Sequence, residues 1–272
     1  MAKKTEKLMG AEAFEKFYSD QYGTRFEAIK ESFSLESDYF EFHMEGAEES
    51  YFLDAASVLA ARQLPLEGAE EILDLCAAPG GKTLVIASRM DENAFLSSNE
   101  RSPERKHRLS TVVQNCLPQN ISERVKTSCS DGATWCTRQT ECFDRILLDA
   151  PCSSERHVYN DPKYLNVWTP SRVKTVANEE WALLSCSFRL LRPEGYLLYS
   201  TCALAREEND GMIERLLKKF KNQVEIVQFT PDGVEGHEEM VPEPTDYGFH
   251  VLPDTSKGAG PLYFCLIKKH VL

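Results

Sequence analysis

Four stretches of the 272-residue chain place reactive or ligand-binding side chains directly behind short apolar runs. LDLCAAPGGKT (73–83) carries Asp74, then the side-chain-poor turn Cys76, Ala77, Ala78, Pro79, Gly80, Gly81, then Lys82. Small residues let a ligand approach the backbone, and the following helix start offers free N–H groups. Gly81, Lys82 and Thr83 match the end of a Walker A loop, but Cys76 stands where that loop requires glycine, so a phosphate-binding P-loop is rejected. The second stretch ends at Glu100, nineteen residues after Gly81, a spacing suited to a carboxylate that accepts both hydroxyls of a ribose. Asp131, behind RVKTSCS, is placed to meet an adenine edge. A lone carboxylate at such a position also serves as a helix cap. The third, FDRILLDAPCSSERH (143–157), sets Asp149 beside Pro151 and Cys152, a carboxylate able to hold a nucleobase next to a thiol. The fourth, YSTCALAREEND (199–210), ends an apolar run at Cys202. Taken singly each cysteine reads as a small buried hydrophobe. Two thiols, Asp149 and Lys82 at one edge argue for chemistry.

The elements that must bring these groups together follow from periodicity. The first fifty residues read helical, broken at Gly23. From residue 71, short apolar runs (EILDL, AFLSS, RVKTSC, FDRILLD, GYLLYS, VEIVQF, PLYFCLI) alternate with helices starting near Thr83, Pro103, 172 and Arg206. This rhythm predicts an α/β fold, a doubly wound and mostly parallel sheet covered on both faces, with ligands outside the carboxyl ends of its strands. Residues 230–260, rich in Pro, Gly, Asp and Glu, read as an irregular excursion. The expected division is a helical N-terminal extension over 1–50 and one catalytic domain over 51–272.

Composition narrows the classes. No apolar run reaches the roughly 20 residues of a membrane span, and the opening lacks the apolar core of a secretory signal, so a soluble cytoplasmic protein is expected, with a mitochondrial site the alternative for a eukaryotic source. Nine cysteines without any C-x-x-C indicate reduced thiols and no metal site. A formal net charge of −12 excludes a general nucleic-acid binder. RNA contact would need a local patch: Arg101, Arg105, Lys106, His107 and Arg108; Arg172 and Lys174; or Lys218, Lys219 and Lys221.

LDLCAAPGGKT, ILLDAPCSSERH, YSTCALAREEN and GPLYFCLIKK together resemble the motifs of the Sun-type RNA cytosine-5 methyltransferases, which use S-adenosylmethionine to make 5-methylcytosine in rRNA and tRNA. The resemblance spans residues 51–269 and is strongest to the compact mitochondrial-type members. It implies a seven-stranded Rossmann-like methyltransferase sheet; the expected departure from larger relatives is that no room is left for an appended RNA-binding domain after the core, which leaves the choice of substrate open. By this resemblance Cys202 attacks cytosine carbon 6, Cys152 serves release, and Asp149 and Lys82 hold the base. S-adenosylmethionine would lie against Cys76, Ala77, Ala78, Pro79, Gly80, Gly81, Lys82 and Asp149, with Glu100 on the ribose, Asp131 on the adenine and Arg105 behind Glu100. Expected partners are rRNA or tRNA, with a partner protein or the bulk of a ribosomal subunit supplying affinity that this acidic chain lacks, and no membrane. Tyr18, Tyr22, Arg25 and Phe26 are expected to pack the extension onto the core; an RNA platform is the alternative. Two rival functions remain: a DNA cytosine-5 methyltransferase attacking through Cys152 of the Pro-Cys pair, and a catalytically silent cofactor-binding assembly subunit.

Overall fold

Residues 9–271 are described by a computed structural model. Two helices come first, α1 (Gly10–Tyr22) and α2 (Arg25–Ser32), separated at Gly23, whose φ of 60° suits glycine. A two-stranded antiparallel sheet follows, β1 (Tyr39–Phe42) and β2 (Tyr51–Asp54), then α3 (Ala55–Arg62), which Asp54 caps through Ala56 N at 2.9 Å. The alternating part runs β3 (Glu71–Asp74), α4 (Gly81–Ala87), β4 (Phe95–Glu100), α5 (Pro103–Cys116), α6 (Gln119–Ser122), β5 (Val125–Cys129) and β6 (Phe143–Asp149). It continues through α7 (Glu155–Asn160), α8 (Pro162–Leu165), α9 (Pro170–Leu190), β7 (Leu191–Thr201), α10 (Asp210–Phe220), β8 (Val224–Ile226), β9 (Pro242–Pro244), β10 (Phe249–Val251) and β11 (Leu262–Lys269).

The strands order as β5-β4-β3-β6-β7-β11-β10-β9, with β8 also paired to β11. From β5 to β7 all neighbours are parallel, and β11 runs antiparallel to β7. Alternate residues feed opposite cores: Ile72, Leu96 and Leu147 pack with α3, α4 and α5, while Leu73, Ile146 and Leu148 pack with α9 and α10. Burial on both faces is why these strands read as continuous apolar runs. Successive strands leave β3 first toward β4 and β5, then return to its other side as β6, so the switch point lies between β3 and β6. A crevice opens there, beyond the strands' carboxyl ends.

Seven strands (β3 to β8 and β11) form the expected sheet, and the excursion adds two more. Antiparallel pairing of Phe249 with Phe264 lets β10 bury Val251, and β9, with prolines at both ends, occupies the edge where missing N–H donors are tolerated. Residues 206–209 form a turn, so the helix expected from Arg206 begins at Asp210. The first fifty residues are not wholly helical: β1 pairs with β2 across the boundary drawn at residue 50. Residues 1–8 of the extension lie outside the described residues.

Tyr18 and Phe26 are buried with Phe14, Trp168, Val158 and Leu204 in a third core that fastens α1 and α2 to α7 and α9. Tyr22 donates its hydroxyl to Leu204 O at 2.8 Å, and Arg25 is ion-paired with Glu243 and Asp254 at 2.6 and 2.8 Å. These contacts tie the extension to the core.

Glu180 of α9 is fully buried, and neither carboxyl oxygen has a hydrogen-bond partner. Burial, with Glu208 nearby, pushes its carboxyl up to about 11. Because the folded value lies above the ordinary 4.5, Glu180 favours folding at low pH and opposes it increasingly as pH rises. Glu180→Gln should therefore gain stability over the parent between about pH 5 and about pH 9, read from urea midpoints at each. Phe14→Ala should cost about 3 to 5 kcal/mol in the same titration by emptying the third core.

Candidate active site

Asp74, at the end of β3, is buried, and its Oδ2 accepts from Thr83 Oγ1 at 2.7 Å. Its Oδ1 is buried with no partner, and burial, opposed by the Thr83 hydrogen bond, pushes the carboxyl up to about 7. The turn that follows is drawn against β4 by Ala77 N donating to Asn99 O at 2.8 Å. Gly80 has φ 126°, and a Cβ there would meet Val112 at 2.9 Å, so glycine is required. Cys76, Ala77, Ala78, Pro79, Gly81, Lys82 and Asp149 line a cavity of about 110 Å³, closed on its other side by Tyr51 and Leu53 of β2. Gly80 shapes the turn without lining that cavity. Burial pushes the Cys76 thiol well up, making it a wall rather than a nucleophile.

Glu100 and Asp131 stand behind the next two strands, β4 and β5, outside the lining of this cavity. The buried Glu100 carboxylate accepts from Ser102 N at 2.8 Å and pairs with Arg105 Nη1 at 3.3 Å. Arg105 Nη2 also donates to Ala78 O at 2.6 Å, so one guanidinium ties the turn after β3 to the carboxylate after β4. Asp131 is exposed and caps a short 3₁₀ turn by accepting from Ala133 N at 3.1 Å.

A larger cavity of about 600 Å³ shares Lys82 and Asp149 with the first and adds Cys202, Ser154, His157 and Tyr39. Lys82 Nζ donates to Asp149 Oδ2 at 2.8 Å, and Ser200 Oγ donates to Asp149 Oδ1 at 2.8 Å. Burial opposes the Lys82 ammonium, but Asp149 and the Cys202 sulfur outweigh it and raise its pKa. Cys202 faces the cavity, and Cys152 lies behind it, outside the lining, with the two sulfurs 2.7 Å apart. Cys202 N also points to the Cys152 sulfur at 3.3 Å. The hydrogen bond from Cys152, aided by Ser154, lowers the Cys202 thiol against the effect of burial, whereas the same contact and burial hold Cys152 well above its usual value. Of the two coupled sulfurs, the contact thus favours ionisation of the cavity-facing one over the one behind it.

The loops bearing these thiols are held from below by groups that the sequence did not single out. Glu208 accepts from Ser153 N at 2.7 Å and from Ser153 Oγ. Glu155 accepts from Leu204 N at 3.0 Å and from the Tyr18 hydroxyl. Asn209 accepts from Thr201 Oγ1 at 2.7 Å and donates to Ala203 O at 2.9 Å. Glu208 and Asn209 lie in AREEND, which reads as an acidic helix start, and their burial is visible only once the chain is folded. Ser200 precedes Cys202 by two residues, and strand alternation carried one residue past the end of β7 at Thr201 puts both on one side, a signal available from sequence. Among the described residues no group of three or more His, Cys, Asp or Glu side chains is arranged to hold a metal, and no helix is long and apolar enough to cross a membrane. A third cavity of about 490 Å³, lined by Glu71, Lys126, Trp135 and Arg192 among others, holds none of the expected residues.

Residues 61–265 match the family described as "16S rRNA methyltransferase RsmB/F". The chain is 31% identical over 235 residues to the 5-cytosine rRNA methyltransferase NSUN4 of Mus musculus, covering 82% of this chain and 61% of that protein. It is 32% identical over 233 residues to the mitochondrial tRNA (cytosine(34)-C(5))-methyltransferase of Mus musculus, covering 84% and 66%. A solved methyltransferase homolog protein from Pyrococcus horikoshii has the same fold, with a TM-score of 0.70 at 20% identity, covering 94% of this chain and 95% of that one. The chain spans 56 to 61% of the length of the NSUN4 proteins from frog, mouse and cattle. The family match takes in both thiols, the glycine turn and all the strands from β3 to β10. On that match this chain belongs to the RsmB/F family of 16S rRNA methyltransferases, in keeping with the Sun-type motifs of its sequence.

Proposed function

We propose that this protein is an S-adenosylmethionine-dependent RNA cytosine-5 methyltransferase that makes 5-methylcytosine in rRNA or tRNA through a covalent Cys202 adduct. The observation that carries this reading is the pair of sulfurs 2.7 Å apart, with the sulfur of lower pKa facing a 600 Å³ cavity that also holds Lys82 and Asp149. The relatives' names agree with it: one acts on rRNA cytosine, the other on tRNA cytosine.

The residues at the ends of β3 to β5 suit the cofactor. The orphaned Oδ1 of Asp74, the required glycine at 80 and the wall of small side chains over 77–81 leave room for a ligand against backbone. Cys76 to Lys82 and Asp149 would hold its methionine end, Glu100 its ribose and Asp131 its adenine. Arg105 would fix the position of Glu100 relative to that turn. When bound, S-adenosylmethionine supplies an electrophilic methyl group on a sulfonium.

Cytosine carbon 5 is too weak a nucleophile to take that methyl unaided, so the ring must first be activated at carbon 6. The Cys202 thiolate forms the sulfur–carbon 6 bond. N3 takes up a proton from water and is held there by Asp149, itself in contact with the Lys82 ammonium, and electron density then collects at carbon 5. Lys82 and Asp149 border both cavities, so a base held by them lies alongside the methionine end, and alignment of this kind lowers barriers by up to about 7 to 11 kcal/mol in good intramolecular cases. Adduct formation turns Cys202 into a neutral thioether. The charge that had held the Cys152 proton in place is then gone, and Cys152 becomes able to release that proton to water and, as the thiolate, take the one on carbon 5. The sulfur–carbon 6 bond breaks, N3 returns its proton to water, and Cys202 leaves as the thiolate. With a net charge of −12, the enzyme relies on a partner protein or on ribosomal bulk for much of its RNA affinity.

Methyl label from S-adenosylmethionine should enter one pool, total rRNA or total tRNA, as 5-methylcytosine. Cys202→Ala should reduce it at least about a thousandfold. Cys152→Ala should lose turnover while retaining an RNA–protein adduct stable to denaturation. Adduct trapping by Cys202→Ala instead would reassign the nucleophile to the Pro-Cys thiol, and no label in either pool despite cofactor binding would favour a silent assembly subunit. Glu100→Ala should weaken S-adenosylmethionine binding about 10- to 100-fold by calorimetry, and unchanged affinity would remove Glu100 from the ribose site.

A further inference from the structure

Ser154 has a left-handed backbone, φ 52° and ψ 58°, a conformation that costs a serine on the order of 1 kcal/mol and a glycine almost nothing. It occupies the capping position of α7, yet its side chain caps nothing there. Neighbours on both sides hold the conformation, with Ser153 fastened to Glu208 and Glu155 fastened to Leu204 N and Tyr18. The result is a hydroxyl aimed at the sulfurs: Ser154 Oγ lies 3.2 Å from Cys202 Sγ, 3.6 Å from Cys152 Sγ and 3.5 Å from Cys152 O. Glycine would satisfy the backbone at this position, so the hydroxyl is what serine adds.

We propose that Ser154 is a third catalytic residue, donating its hydrogen bond to the Cys202 thiolate before attack and to Cys152 during release. This rests on the covalent mechanism above and deepens it. A thiolate is a far better acceptor than a thioether, so adduct formation frees the Ser154 proton from Cys202. Its next charged acceptor is then Cys152, and a rotation about one side-chain bond carries the donor between the two sulfurs. No bond is made or broken at Ser154.

Other groups face the same sulfur. Lys82 from α4 favours the Cys202 thiolate, while Asp149 at the end of β6, Glu155 from α7 and Glu180 from α9 oppose it, and Cys152 shares its proton. Arg156 and His157 line the same cavity. Substitution of Ser154 alters none of these, which makes its own contribution separable.

The test is the pH dependence of Cys202 alkylation by iodoacetamide in RNA-free protein, with peptide mapping to separate Cys202 from Cys152. Ser154→Gly should be as stable as the parent or more so, and Ser154→Ala less stable than Ser154→Gly. Both should move the Cys202 midpoint up by about one pH unit. In a Cys152→Ala background, Ser154→Gly should slow formation of the trapped RNA adduct about tenfold near neutral pH. A Cys202 midpoint unmoved in folded Ser154→Gly protein overturns the proposal. A midpoint that moves in protein forming no RNA adduct would leave the Ser154–Cys202 contact standing and overturn the covalent mechanism instead.

Discussion

Asp149 lies opposite Ser200 in the parallel pairing of β6 and β7, and Ala150 N continues the ladder by donating to Ser200 O at 2.8 Å. This register is the constraint on which the site depends. It sets the end of one strand beside the end of the next, so that Cys152 and Cys202, fifty residues apart in sequence, emerge with their sulfurs in contact. A slip of one residue would turn Ser200 and Asp149 to opposite faces and carry Cys202 away from the cavity. The register is protected by burial, since Leu147, Leu148, Leu198 and Tyr199 have no accessible surface and would lose their packing in any other pairing.

Electrostatics beneath the site reinforce that geometry. Glu155, Glu180 and Glu208 are all buried behind the two thiols, and burial raises the pKa of each; Glu208 reaches about 8, with the charge of Glu155 adding to the effect and its bonds from Ser153 opposing it. Acids held toward their neutral form carry less negative charge to the thiols while still organising the loops that bear them. On the cavity side Lys82 is a close cation, and its 2.8 Å contact with Asp149 Oδ2 holds that side chain in place. The protein as a whole is strongly acidic, yet the cavity-facing sulfur of Cys202 has a positive partner in Lys82.

Much of this was legible before folding, and the reasons are local. Every run from EILDL to PLYFCLI became a strand, because a β-branched or aliphatic run flanked by turn residues has few other stable outcomes when both faces are to be buried. Gly80 and Gly81 were readable because only a side-chain-poor turn permits a φ of 126° and the close approach of Val112 and Tyr51. The short strands β9 and β10 were not readable: PEP and FHV are too short to carry a strand signal of their own, and are strands only because β10 pairs with β11 and β9 with β10. AREEND was read as the start of a helix from Arg206, yet the helix begins at Asp210, and Glu208 and Asn209 before it are buried in the fold.

The sequence by itself determined the alternation of elements, the residues at each strand's carboxyl end and the motifs that mark the family, because these follow from periodicity and residue type over a few positions. Only the tertiary structure decided which thiol faces the cavity and which lies behind it, that Asp149 is held between Lys82 and Ser200, and that the hydroxyl of Ser154 reaches both sulfurs. Those facts depend on pairing between segments tens of residues apart, and on burial that redistributes charge among them. Contacts of that kind form only when the sheet closes.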